Sequence, residues 1–105
     1  MLSVLIEFEV IDGRENEFKN AWAETTKYIY ENFNSLGSRL HKSTSGKFIA
    51  YAQWPSIEEY ESDHEWSSEG REIRKRMRET LVSEKATVLE KLTLEVDLLK
   101  NVQHS

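Results

Sequence analysis

The clearest alternation of apolar and polar positions lies between Leu36 and Ser56, LGSRLHKSTSGKFIAYAQWPS. In its second half Phe48, Ala50, Ala52 and Trp54 fall on one side, with Ile49, Tyr51 and Gln53 on the other. That is the period-two signature of a half-buried strand. In its first half Leu36, Ser38 and Leu40 oppose Gly37, Arg39 and His41 in the same way. Ser43-Thr44-Ser45-Gly46 between them is turn chemistry: small polar groups that bond the local backbone, then a glycine that tolerates positive φ. The pattern predicts an antiparallel hairpin of residues 36–42 and 47–54. Pro55 closes the second strand because it has no N–H to donate. Ser56 followed by Glu59 is a capping box that opens a helix.

The rest of the chain is read as neighbours of that hairpin. Residues 2–11 alternate, with Val4, Ile6, Phe8 and Val10 against Leu5, Glu7 and Glu9. Asp12-Gly13 ends this strand, and Asp12 is expected to cap the next helix with Glu15 reaching back. Phe18, Ala21, Trp22, Thr25 and Ile29 then recur at helical spacing, predicting a helix over 14–33. A short helix over 56–64 carries Ile57, Tyr60 and His64 on one side, and Trp66 sits in the break after it. Ser67-Ser68 caps a third helix to about residue 82, buried along Ile73, Met77 and Leu81. Its other faces carry Arg71, Arg74, Lys75, Arg76 and Arg78. Residues 86–100 predict the last strand, Leu92, Leu94, Val96 and Leu98 opposing Thr93, Glu95 and Asp97. Residues 101–105 read as a polar tail. The order βαββααβ is that of a ferredoxin-like two-layer α+β sandwich: a four-stranded antiparallel sheet with helices on one face, as a single domain over 1–105.

Composition narrows the partners. Fourteen basic against 19 acidic residues give a net charge of −5, which argues against nucleic acid. The absence of cysteine removes disulfides, thiol nucleophiles and thiolate metal sites together. The opening MLSVLIEFEV has no basic lead, so a signal peptide is not expected, and no apolar run approaches membrane-spanning length. The expectation is a soluble cytoplasmic protein. His41, His64 and His104 have no HxxxH or HxxE partner and no glycine-rich phosphate loop occurs, so neither a metal nor another cofactor is expected.

A two-layer fold leaves one sheet face bare. The pattern gives that face Leu5, Glu7, Glu9, Arg39, His41, Ile49, Tyr51, Gln53, Thr93, Glu95 and Asp97. Large apolar groups and charges of both signs suit either a solvated face or one that meets its own copy across a twofold axis. On the second reading Glu7, Arg39, His41, Tyr51, Gln53 and Glu95 form a homodimer face.

VLIEFEVIDGRENEFKNAW, SLGSRLHKS, FIAYAQWPSIEEYE and the terminal LTLEVDLL together cover nearly the whole chain. With these segments the chain resembles the antibiotic biosynthesis monooxygenase (ABM) domain, a dimeric α/β-barrel family. The resemblance implies a homodimer whose sheets face each other, with a pocket in each subunit between sheet and helices. The family includes cofactor-independent oxygenases of quinol-like aromatics, haem-degrading enzymes and members with no known activity. The haem-degrading branch has an asparagine on the first strand, then a tryptophan and an axial histidine on the later helices. Here the first strand has no asparagine, Asp63 stands in register with that tryptophan and Ile73 with that histidine, so haem degradation is not expected.

Among the chemistry-bearing residues, His64 is the candidate catalytic base. Its position on the apolar side of the second helix would let a neutral imidazole take a phenolic proton. The same position suits a core or interface histidine. Trp22, Trp54, Tyr60 and Trp66 are candidate walls of an aromatic pocket, or core. Arg74 and Arg78, one turn apart, are candidates to hold a carboxylate or anionic intermediate, or a solvated basic face. Ala50 and Ala52 leave room above the sheet for a helix or a ligand. Two functions remain: a cofactor-independent monooxygenase of a small quinol-like substrate, or a non-catalytic homodimer that binds a small hydrophobic or aromatic molecule.

Overall fold

The computed structural model describes residues 1–100; the polar tail at 101–105 lies outside the described residues. The elements are β1 (Leu2–Phe8), α1 (Glu15–Asn32), β2 (Gly37–Lys42), β3 (Phe48–Trp54), α2 (Ile57–Glu61), α3 (Ser68–Arg78) and β4 (Thr87–Thr93). The strands form one antiparallel sheet in the order β2-β3-β1-β4, with the helices on one face.

Local chemistry sets most of the element ends. The β2–β3 turn is held by Ser43 N–H donating to the Lys47 carbonyl at 2.8 Å, and Gly46 takes φ +92°, where a side chain would be strained. Ser56 Oγ accepts from Glu59 N–H at 3.2 Å and Ser67 Oγ from Gly70 N–H at 3.0 Å, so both serines cap their helices. The start of α1 differs from expectation. Asp12 is not the cap; Arg14 occupies that position without a side-chain cap bond, and Glu15 accepts from Gly13 N–H instead. Four other elements are clearly shorter than the pattern predicts, among them α2, which ends at Glu61. β1 stops at Phe8, leaving only a bridge from Val10 to Leu81. α3 stops at Arg78, because residues 79–82 turn to meet that bridge: Ile11 N–H donates to Thr80 O and Val82 N–H to Glu9 O, both at 2.9 Å. β4 runs only over Thr87–Thr93.

The helix-facing side of the sheet carries two packed groups. Phe8, Phe48 and Ala50 meet Phe18 of α1 and Met77 and Leu81. The Phe18 ring stands 5.2 Å from each of Phe8 and Phe48. Leu2, Val4, Ala52 and Trp54 meet Ile29, Phe33 and Tyr60. On α1 only Phe18 and Thr25 are fully buried, and Thr25 Oγ1 turns back to donate to the Ala21 carbonyl.

The phase of β4 is the principal correction. Thr93 pairs with Leu2 and Lys91 with Val4, so both lie on the helix side, while Leu92 pairs with Ser3 and shares the open face. A bulge between Leu5 and Ile6 puts Val88 back opposite Ile6. Residues that face each other across an antiparallel pair share a side, so a one-residue slip inverts a whole strand. Glu95 and Asp97 lie beyond the strand.

Candidate functional site

Between the two packed groups lies a cavity of about 1130 Å³. Ile6, Phe8, Ala50, Ala52 and Trp54 of the sheet form its floor, and Trp22, Thr25, Thr26 and Ile29 of α1 one wall. Met77 with Arg71, Arg74, Lys75 and Arg78 of α3 forms the facing wall, closed by residues 79, 81–86 and 88. The floor is open because β3 places alanine twice, at Ala50 and Ala52, between Phe48 and Trp54. All three tryptophans of the chain, Trp22, Trp54 and Trp66, line this space.

Of the residues singled out from the sequence, Trp54, Tyr60, Trp66, Arg74 and Arg78 meet at the cavity. Trp54 is buried and edge-on to Tyr60, ring centres 5.6 Å apart. Trp66 is stacked on Tyr28 at 5.0 Å, and the Arg74 guanidinium lies over its ring at 4.3 Å. Burial, then the charges of Arg78 and Arg71, pull the Arg74 guanidinium below its ordinary range. Tyr28 anchors the assembly: its hydroxyl accepts from Ser67 N–H at 2.9 Å and donates to Ser67 Oγ at 3.1 Å, tying α1 to the start of α3.

His64 is not brought to the cavity. α2 ends at Glu61, so His64 falls after it, in a small outer hollow with Asn32, Phe33, Asn34, Glu59, Asp63 and Glu65. Its ring is sandwiched between Phe33 at 4.7 Å and Trp54 at 5.3 Å. Nε2 lies 3.1 Å from the Glu59 carbonyl and 3.2 Å from Ser62 Oγ. The histidine therefore supports the back of the Trp54 wall. Trp22, also a candidate pocket wall, lines the cavity as well. Thr25, Thr26, Arg71 and Lys75 were not singled out for the site; the helical spacing of Arg71, Arg74, Lys75 and Arg78 was the available signal.

On the open face of the sheet, Glu7, Arg39, His41, Tyr51 and Gln53 fall together with Ser3 and Leu5 by register. Ser3 Oγ donates to the Tyr51 hydroxyl oxygen at 2.8 Å, and Gln53 Nε2 approaches it at 3.5 Å. Those bonds, with Arg39 nearby, draw the Tyr51 phenol below its ordinary range despite its partial desolvation and the opposing charge of Asp97. Lys47 pairs with Glu7 at 3.6 Å. Among the described residues no group of three or more metal-ligating side chains converges, and no helix is long and apolar enough to cross a membrane.

No family model matches the sequence, and no curated protein matches it. Solved structures do. A Bordetella bronchiseptica protein provisionally named antibiotic biosynthesis monooxygenase superposes with TM-score 0.74 at 20% identity, over 90% of this chain and 97% of its own. The ActVA-Orf6 monooxygenase of Streptomyces coelicolor, solved with nanaomycin D, gives 0.69 at 19% identity, over 95% and 92%. SnoaB, a cofactor-independent oxygenase from Streptomyces nogalater, gives 0.68 at 13% identity, over 94% and 97%. At such identities the likeness is one of fold, and the chain has the fold of the antibiotic biosynthesis monooxygenases.

Proposed function

We propose that this chain is a cofactor-independent monooxygenase that oxidises a small quinol-like aromatic with O2. The observation that carries the reading is the cavity between sheet and helices, lined by all three tryptophans and floored by two alanines. Such a space accepts flat aromatic rings against its apolar floor and tryptophan walls. The fold shared with SnoaB and ActVA-Orf6 adds weight, although fold alone transfers no activity.

In this reading the substrate supplies the electrons. An anthrone-type methylene, ionised to its enolate, passes electrons to O2; one oxygen atom becomes the ring carbonyl and the other leaves as water with the two methylene hydrogens. The cations of α3 favour the ionised form, as opposite charge does for any acid. His64 enters as support for Trp54 rather than as the base, since its ring lies behind that wall. The partner is a second copy meeting the open sheet face. Leu92 is exposed on that face and Leu94 and Val96 are exposed just beyond β4, an apolar edge that suits such contact.

The test is oxygen uptake with a panel of hydroquinones and anthrones, with labelled O2 and product mass. One labelled oxygen per carbonyl, above the rate of autoxidation, supports the reading. If the compounds bind without uptake, the protein is a ligand-binding domain of the same fold. That second reading is favoured by one feature: no histidine among the described residues lines the cavity.

A further inference from the structure

The charges of this acidic chain are unevenly paired. Among the described residues four cations have carboxylate partners: Arg14 with Glu17, Lys47 with Glu7, Arg76 with Glu24 and Lys91 with Glu61. Arg71, Arg74, Lys75 and Arg78 have none within ion-pair distance among the described residues, although Glu79 and Glu84 line the same cavity. Their spacing of three and four residues stacks them on the side of α3 that walls the cavity, while Arg76 points to α1 and takes Glu24. Arg74 is half-buried and held over Trp66, which is itself fixed by Tyr28. Stacking engages the face of a guanidinium and leaves its in-plane N–H donors for an acceptor. With Lys85 the four cations of α3 make five at the cavity against the carboxylates of Glu79 and Glu84, a net positive lining that favours an anion.

We propose that the ligand of this cavity is an aromatic acid, with its carboxylate held by Arg71, Arg74 and Arg78 and its rings against Trp54, Ala50 and Ala52. The assignment rests on the oxygenase reading for the site but not for the chemistry. It orients the ligand, placing the acid at the α3 wall and the far ring over the sheet. Arginine is suited to the task because its planar fork matches a carboxylate in two bonds.

The test is calorimetric titration with 1-hydroxy-2-naphthoate and with its methyl ester, a pair that differs in the charge and one methyl group. The acid should bind about tenfold tighter or more, the usual worth of a charge-assisted bond. Added salt should weaken the acid and not the ester. In the double variant Arg74→Gln/Arg78→Gln the acid should fall to the affinity of the ester, which stays as it was. Arg71→Gln alone, at an exposed helix position, should weaken the acid several-fold and serves if the double variant does not fold. Equal affinities, no binding of the acid, or a preference that survives these substitutions would overturn the proposal. Oxygen uptake is measured separately, so a failed oxygenase reading leaves this result standing, and the reverse.

Discussion

The ring of Tyr28 occupies the space where a side chain on Gly70 would begin. A Cβ built at Gly70 would stand 2.6 Å from the Tyr28 hydroxyl oxygen, far inside van der Waals contact. Gly70 is buried, and its own N–H closes the Ser67 cap that Tyr28 also grips. Glycine is required here for space rather than for backbone freedom. The contact sets where α3 starts, and with it the positions of Trp66 and Arg74.

Gly70→Ala should therefore be strongly destabilising for so small a change, about 1–3 kcal/mol by the usual cost of overpacking. Tyr28→Phe removes the two hydroxyl bonds and should cost about 0.5–1.5 kcal/mol. Adding Tyr28→Ala to Gly70→Ala should recover part of the loss. Additive thermal melts of the two single variants and the double would show that the residues do not compete for one space.

Ala52→Leu tests the cavity directly. The added atoms enter open space over the sheet, so stability should change by less than about 1 kcal/mol while binding of aromatic ligands is lost. A clear drop in melting temperature with binding retained would mean that the space over Ala52 is already filled.

His64→Ala separates a base from a wall support. A general base usually contributes about 10²–10⁴ in rate. With the ring behind Trp54, the expected loss in turnover is under about tenfold. A loss of a hundredfold or more in a folded variant would restore His64 as the base.

The proposed dimer is tested by light scattering, which should return twice the chain mass at micromolar concentration; an interface of this kind buries roughly 2,000 Å² or more. Tyr51→Asp places a charge at the centre of the open face and should shift the protein toward monomer. A monomeric wild-type protein would remove the second copy from the functional reading.

Tyr51 also gives a pH signature. The Ser3 bond, then the Gln53 bond, stabilises its ionised form, so the phenol should titrate below the ordinary tyrosine range by ultraviolet absorbance. Ser3→Ala should move it back up. Because the folded pKa is lowered, the linked stability is present above the unfolded tyrosine pKa, fades as pH falls through the folded one, and is absent at neutrality. Tyr51→Phe should lose the Ser3 bond at every pH and a further, pH-dependent part of its stability only in alkaline solution. An unchanged titration in Ser3→Ala would show that the bond does not set the shift.

Much of the architecture was legible because it is set by contacts a few residues long. The Ser43–Gly46 turn, the caps at Ser56 and Ser67, the alternation of β3 and the Phe18-Trp22-Thr25-Ile29 stripe each specify their element with neighbouring groups alone. Together they dictate βαββααβ and the side of the sheet that is buried. The first helix start was misread because Asp12 has capping chemistry but Arg14 is drawn elsewhere, to Glu17 and the Glu79 carbonyl. The phase of β4 depends on a bulge opposite β1, and a period of two turns one extra residue into an inverted face. His64 left the cavity because α2 ends after five residues, too soon for helical spacing to carry it onto the sheet. Which arginines face a cavity and which meet a carboxylate was decided by α3 packing against α1, where Glu24 reaches Arg76 and not its neighbours. Local sequence determined the elements, because turns, caps and periodicity act within a few residues. The site waited on tertiary structure, because register, helix length and charge pairing join residues far apart in the chain.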